Sequence, residues 1–144
     1  MKNTIALLSL YEPLCSVPLP FYDFGVRAGF PSPAQDFAEH TLDFTRDFVP
    51  HPDATFYARV RGDSMKDEGI YDGDIAVIDK AVEPKHGNLV VAMINGEFTL
   101  KRFHCKGNGV FLMPANPAFK PIEIQEGDDF TVWGVVRMVL KSTL

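Results

Sequence analysis

The chain has 144 residues, of which 46% are hydrophobic and 23% charged, the balance of one soluble globular domain with enough length to bury a core. With 14 basic against 19 acidic residues, the formal charge is −5 and the pI near 5.3, and no Lys/Arg stripe is present to follow a phosphate backbone, which argues against direct DNA binding. Cys15 and Cys105 lack CxxC spacing, and His40, His51, His86 and His104 lack the short spacing of ligand pairs, so no disulfide framework, metal or cofactor site is expected, and reduced thiols suit a cytoplasmic location.

In chain order, the first feature is the apolar stretch from Ile5 to Leu10, which includes Ser9 and is followed by Glu12 and Pro13. It is shorter than the ~7 to 15 apolar residues of a secretory signal and the ~18 of a membrane helix, so no membrane association is expected. Ile5, Leu7, Leu8 and Leu10 remain available to pack on the domain. Pro13, Pro18 and Pro20 interrupt any long helix. Further on, Pro31 and Pro33 favour extended backbone on either side. Phe37, Leu42, Phe44 and Phe48 then alternate with Asp36, Glu39, Asp43 and Asp47, and either dock this segment on its own domain or face a partner.

Beyond residue 50 the composition predicts mostly strand. Thr55 to Arg61, Asp74 to Asp79, Leu89 to Ile94, Glu97 to His104, Val110 to Met113 and Phe130 to Val139 are rich in β-branched and aromatic residues. Asn95-Gly96 is the preferred pair for a two-residue hairpin, and Asp72-Gly73-Asp74, Lys106-Gly107-Asn108-Gly109 and Gly127-Asp128-Asp129 mark further reversals. Ser64-Met65-Lys66-Asp67 begins a short helix or turn. A compact, mainly β domain follows from this pattern.

Two residues stand out chemically. Ser64, in Arg61-Gly62-Asp63-Ser64-Met65, is either a nucleophile or, with Asp63, a helix cap. Lys101, in Glu97-Phe98-Thr99-Leu100-Lys101-Arg102, is either a general base or an exposed lysine that discourages edge pairing. An ordinary lysine titrates near ~10.4, so only about one in a few thousand is neutral at pH 7; desolvation, which can lower the value by up to ~3 to 5 units, is the usual remedy. On a strand, Thr99, Lys101 and Phe103 share one face and Phe98, Leu100 and Arg102 the other, so neither face is purely polar and a half-buried lysine is expected.

Residues 28 to 139 resemble the self-cleaving peptidase domain shared by the LexA repressor and the UmuD mutagenesis protein, with the UmuD match the closer. The runs that carry the resemblance are Ala28-Gly29-Phe30-Pro31-Ser32-Pro33-Ala34, His51-Pro52-Asp53-Ala54-Thr55, Gly62-Asp63-Ser64-Met65, Tyr71-Asp72-Gly73-Asp74, His86-Gly87, Gly96-Glu97-Phe98-Thr99-Leu100-Lys101 and Trp133-Gly134-Val135-Val136. The resemblance implies that Ser64 is the nucleophile, that Lys101 is the base, and that the bond cut in the chain itself lies between Ala28 and Gly29. UmuD proteins often carry Cys before this glycine and the repressors often Ala, as here.

The same resemblance implies a compact LexA/UmuD-type, signal-peptidase-like β domain over residues 51–144. It is preceded by a flexible N-terminal arm, residues 1–28, that cleavage removes, and by a linker, 29–50, that is retained. The implied role is SOS mutagenesis. A RecA filament on single-stranded DNA favours cleavage, and the processed homodimer serves as accessory subunit of an error-prone Y-family (UmuC-like) DNA polymerase, with the replication clamp as a further partner. A repressor would place a helix-turn-helix domain before the cut, and the 28 residues from Met1 to Ala28 are too few for one. The alternatives are a polymerase-binding regulatory subunit in which cleavage is only a switch, and a headless repressor relative.

Overall fold

The computed structural model describes residues 5–9, 17–22 and 40–144. These fall into two compact units, one holding residues 5–9 together with Asp53–Leu144, the other holding residues 17–22 and 40–52.

The larger unit is an antiparallel sheet, in agreement with the mainly β expectation. In spatial order its strands are β1 (Ile5–Ser9), β4 (Thr55–Val60), β5 (Ile75–Asp79), β10 (Phe130–Leu140), β6 (Leu89–Ile94), β7 (Glu97–Lys106), β8 (Gly109–Met113) and β9 (Ile122–Glu123). The six strands expected from composition all form, with ends within two residues of the expected ones. Two short edge strands were not expected. β1 pairs with β4, placing Ile5 opposite Val60 and Leu7 opposite Ala58, so the apolar stretch too short for a signal peptide is a strand of the domain. β9 is only two residues long and covers Phe111 and Leu112 of β8.

The hairpin between β6 and β7 follows its sequence signal. Asn95 and Gly96 both take positive φ, 49° and 82°, and Ile94 pairs directly with Glu97, as a two-residue turn matched to strand twist requires. The Asn95 side chain ties the turn to the neighbouring loop, donating to Asp128 Oδ1 and accepting from the Asp129 N–H, each at 3.0 Å.

β10 runs through the middle of the sheet, pairing with β6 by its first half and with β5 by its second. Register shifts between Val132 and Gly134 and between Val136 and Met138 bend it so that it can serve both neighbours. Apolar side chains fill both sides of the curled sheet: Ala58, Val60, Met65, Ile78, Val91 and Leu100 belong to one cluster, and Val90, Ala92, Phe103 and Leu112 to another. Burial on both faces is why β6, Leu-Val-Val-Ala-Met-Ile, reads as a continuous hydrophobic run rather than as a clean alternation.

In the smaller unit, β2 (Leu19–Phe21) pairs antiparallel with β3 (His40–Leu42), and the Phe21 and His40 rings stack 4.8 Å apart. α1 (Phe44–Phe48) follows. Asp43 caps it by accepting from the Arg46 N–H at 3.1 Å, while Asp47 accepts from the Asp43 N–H at 2.8 Å. Phe44 and Phe48, one helical turn apart, contact each other through their rings. Phe37 lies outside the described residues. No helix among the described residues is long and apolar enough to cross a membrane.

Candidate active site

Ser64 lies in the turn that leaves β4. A short 3₁₀ helix, Lys66–Glu68, begins just beyond it with Met65 at the N-cap position and no side-chain cap bond. The expected helix start is present, and it is closed by backbone rather than by a serine or aspartate cap. Met65 is fully buried in the cluster of Ala58, Val60 and Ile70 and pins the turn to the core. The loop after β8 holds it from the other side: Ala115 N–H donates to Ser64 O at 2.7 Å and Asp67 N–H donates to Ala115 O at 2.8 Å. The Asn116 side-chain amide donates to Asp63 O at 2.9 Å.

Lys101 lies on β7 opposite Val90 of β6. Its Nζ is 2.8 Å from Ser64 Oγ and 2.7 Å from Thr99 Oγ1. The strand puts Thr99 and Lys101 two residues apart, so both side chains leave β7 on one face and the shorter hydroxyl meets the longer amine. The lysine is deeper than the half-buried position expected for it: Lys101 is 3% exposed and Ser64 0%. Burial disfavours the ammonium and lowers the Lys101 pKa from 10.5 to about 8.

One residue after the lysine, Arg102 reaches back to the helix that follows Ser64. Its Nε and Nη2 both donate to the Glu68 carboxylate, the closer contact being 2.6 Å, and Nη1 donates to Gly87 O at 2.9 Å. The fork geometry makes this a bidentate pair that ties the serine-bearing turn to the lysine-bearing strand. Beside the pair is a cleft of about 370 Å³ whose lining includes Ile94, Phe98, Phe119 and Ile122 together with Thr99 and Lys101.

The structure thus brings Ser64 and Lys101 together, while Ala28 and Gly29 lie outside the described residues. Three participants were not singled out from sequence. Thr99 was visible only as a neighbour on the face of Lys101, and neither Asn116 nor the Glu68–Arg102 pair carries a local signal, because their partners are distant in the chain. Among the described residues no group of three His, Cys, Asp or Glu is arranged to hold a metal. His86 and His104 stack at 4.7 Å, with His86 Nδ1 accepting from the Cys105 N–H at 3.0 Å, and the Cys105 thiol is free and exposed.

Comparison with known proteins yields a match to the Peptidase S24-like family over residues 20–137. The chain is 40% identical over 132 residues to Protein SamA of Salmonella typhimurium, which covers 92% of this chain and 91% of SamA. It is 42% identical over 119 residues to Protein MucA of Escherichia coli, covering 82% and 81% of the two chains. It is also 41% identical over 120 residues to the LexA repressor of Polaromonas naphthalenivorans, where the match takes in 83% of this chain and 50% of the repressor.

Proposed function

The chain belongs to the Peptidase S24-like family, among its UmuD-like members, and on that footing we propose that it is an SOS mutagenesis protein that cuts its own chain between Ala28 and Gly29. Ser64 is the nucleophile and Lys101 the general base. The observation that carries this reading is the 2.8 Å approach of Lys101 Nζ to Ser64 Oγ, both side chains being buried.

At a pKa of about 8, roughly a tenth of the lysine is neutral at pH 7, several hundred times more than for an ordinary lysine. Thr99 Oγ1 accepts one Nζ hydrogen, which leaves the lone pair of the neutral amine for the Ser64 O–H. As Ser64 Oγ bonds to the Ala28 carbonyl carbon, its proton passes to Lys101 Nζ. Collapse of the tetrahedral intermediate breaks the Ala28–Gly29 C–N bond, and the lysine returns the proton to the departing Gly29 amine. Lys101 then takes a proton from a water that attacks the Ala28 ester carbonyl, and returns it to Ser64 Oγ as the ester C–O bond breaks, freeing the Ala28 carboxylate. The cleft beside the lysine has apolar surface at Ile94, Phe98, Phe119 and Ile122, which suits residues flanking the cut, such as Val26 and Phe30, bound as an extended strand.

A substrate tethered to its own catalyst has a high effective concentration, so the rate depends on how often the bond occupies the cleft. A RecA filament on single-stranded DNA raises that population. The processed homodimer then acts in the cytoplasm as accessory subunit of an error-prone Y-family polymerase, and cleavage links DNA damage to mutagenesis. The test is mass spectrometry after incubation with RecA, single-stranded DNA and a nucleotide, with Ser64→Ala and Lys101→Ala in parallel. A fragment beginning at Gly29 from the wild type alone supports the reading. An intact wild-type chain sinks it in favour of a peptidase fold used only for binding.

A further inference from the structure

The peptide units on either side of the Ser64 Cα are both gripped from outside their own turn. Asn116, 5% exposed, donates Nδ2 to Asp63 O at 2.9 Å, and the next residue back, Ala115, donates its N–H to Ser64 O at 2.7 Å. Asn116 is itself fixed, because its Oδ1 accepts from the Ala118 N–H at 2.9 Å and its carbonyl accepts from the Phe119 N–H at 3.0 Å. In a planar trans peptide the C=O and N–H leave opposite edges of one plate, and no described peptide is cis. Asp63 O also accepts from the Lys66 N–H, at a longer 3.2 Å, and anchoring it from both sides sets the direction of the Ser64 N–H, as anchoring Ser64 O sets that of the Met65 N–H. Acyl transfer to Ser64 needs preorganised donors where negative charge develops on the Ala28 carbonyl oxygen, and these two amides flank the attacking hydroxyl.

We propose that Asn116 is a positioning residue for the oxyanion hole, acting through the Asp63–Ser64 peptide plate. The inference rests on the Ser64 chemistry proposed above and adds to it a residue far away in sequence. Asn116 makes no recorded hydrogen bond to Lys101, so its effect separates from that of the base: losing it lowers the rate without shifting the pH at which the lysine titrates.

The experiment follows self-cleavage of the full-length chain across pH 6 to 11 for wild type, Asn116→Ala and Asn116→Asp. The Asp variant retains the acceptor for Ala118 but loses the donor to Asp63. Both variants are expected to cut about 10- to 100-fold more slowly at the alkaline plateau, with the wild-type pH midpoint in Asn116→Ala and a melting temperature lowered by the lost buried hydrogen bond. Their Ser64 amide resonance is expected to move in ¹H–¹⁵N spectra of chains that also carry Lys101→Ala, which removes the base and leaves Ser64 in place. Wild-type rates in Asn116→Asp, a shifted pH midpoint in Asn116→Ala, or an unmoved Ser64 amide would each overturn the assignment. A wild type that does not cut at all would overturn the proposed function, and the catalytic half of this inference with it, whereas an unmoved amide resonance would refute the plate-orienting role alone.

Discussion

Lys101 bears two opposed demands, since the desolvation that makes it a base also makes it costly to bury. With its pKa held near 8, the rate of self-cleavage without RecA is expected to climb about tenfold per pH unit below pH 8 and to level off above it. A profile flat from pH 7 to 10 in a stopped time course would exclude the lysine as base. The stability consequence falls in the adjoining, more alkaline window. Between pH 8 and 10.5 the unfolded chain binds a proton at this position that the folded chain has released, so stability rises with pH across that window. Below pH 8 the penalty is fully present, about 3 kcal/mol from the separation of the two pKa values. Lys101→Met is therefore expected to be inactive yet more stable than wild type at pH 7, with the gap in denaturant midpoints closing toward pH 10.5. At this scale the sequence was informative about identity and silent about depth. Ser64 and Lys101 stand in recognisable runs, but Thr99 as the lysine's second partner and the 3% exposure of Lys101 depend on what packs around β7.

Among the elements, the strands with bulky and β-branched residues between turn signals were legible, and so was the Asn95-Gly96 hairpin that sets the register of β7. What composition did not reveal was where strands bend or end by virtue of a neighbour. β10 reads as one run, yet it carries two register shifts, and Gly134 lies at the first of them. A Cβ at Gly134 would lie 2.6 Å from Ile78 Cγ2 and 3.0 Å from Asp79 O, so the close crossing of β5 and β10 depends on the missing side chain. Gly134→Ala is expected to destabilise the fold by about 1 to 3 kcal/mol through overpacking, read as a lower urea midpoint with an unchanged slope. A second contact braces the same crossing: Arg137 Nε donates to the fully buried Asp79 carboxylate at 2.7 Å. Arg137→Met removes one of the donors to that carboxylate, which also accepts from the Ala81 N–H at 2.8 Å, and is expected to cost about 1 to 3 kcal/mol by the same measurement. Neither feature has a local signal, because Gly134 and Arg137 act on residues more than fifty positions away.

For the whole molecule, composition and charge predicted one acidic globular domain. They did not disclose that the body of the fold recruits residues from before the proline-rich segment. β1 is the outermost strand of the sheet and hydrogen-bonds to β4 alone among the strands, and it precedes the proposed cut. As long as the chain is continuous, β1 competes for β4 at the high local concentration that a tether provides. Once the chain is severed, the same five residues must hold on as a free peptide, and a short strand with one neighbour holds poorly at cellular dilution. Cutting with a site-specific protease placed after Phe24 in a Ser64→Ala chain should therefore raise amide hydrogen exchange along Tyr57 to Val60, and excess synthetic peptide of residues 1–11 should suppress it again. Equal protection before and after the cut would show that β1 stays seated. A sheet that loses its outer strand exposes a row of unsatisfied backbone groups, a surface that recruits any extended partner at hand, so the proposed scission would make the protein adhesive as well as shorter.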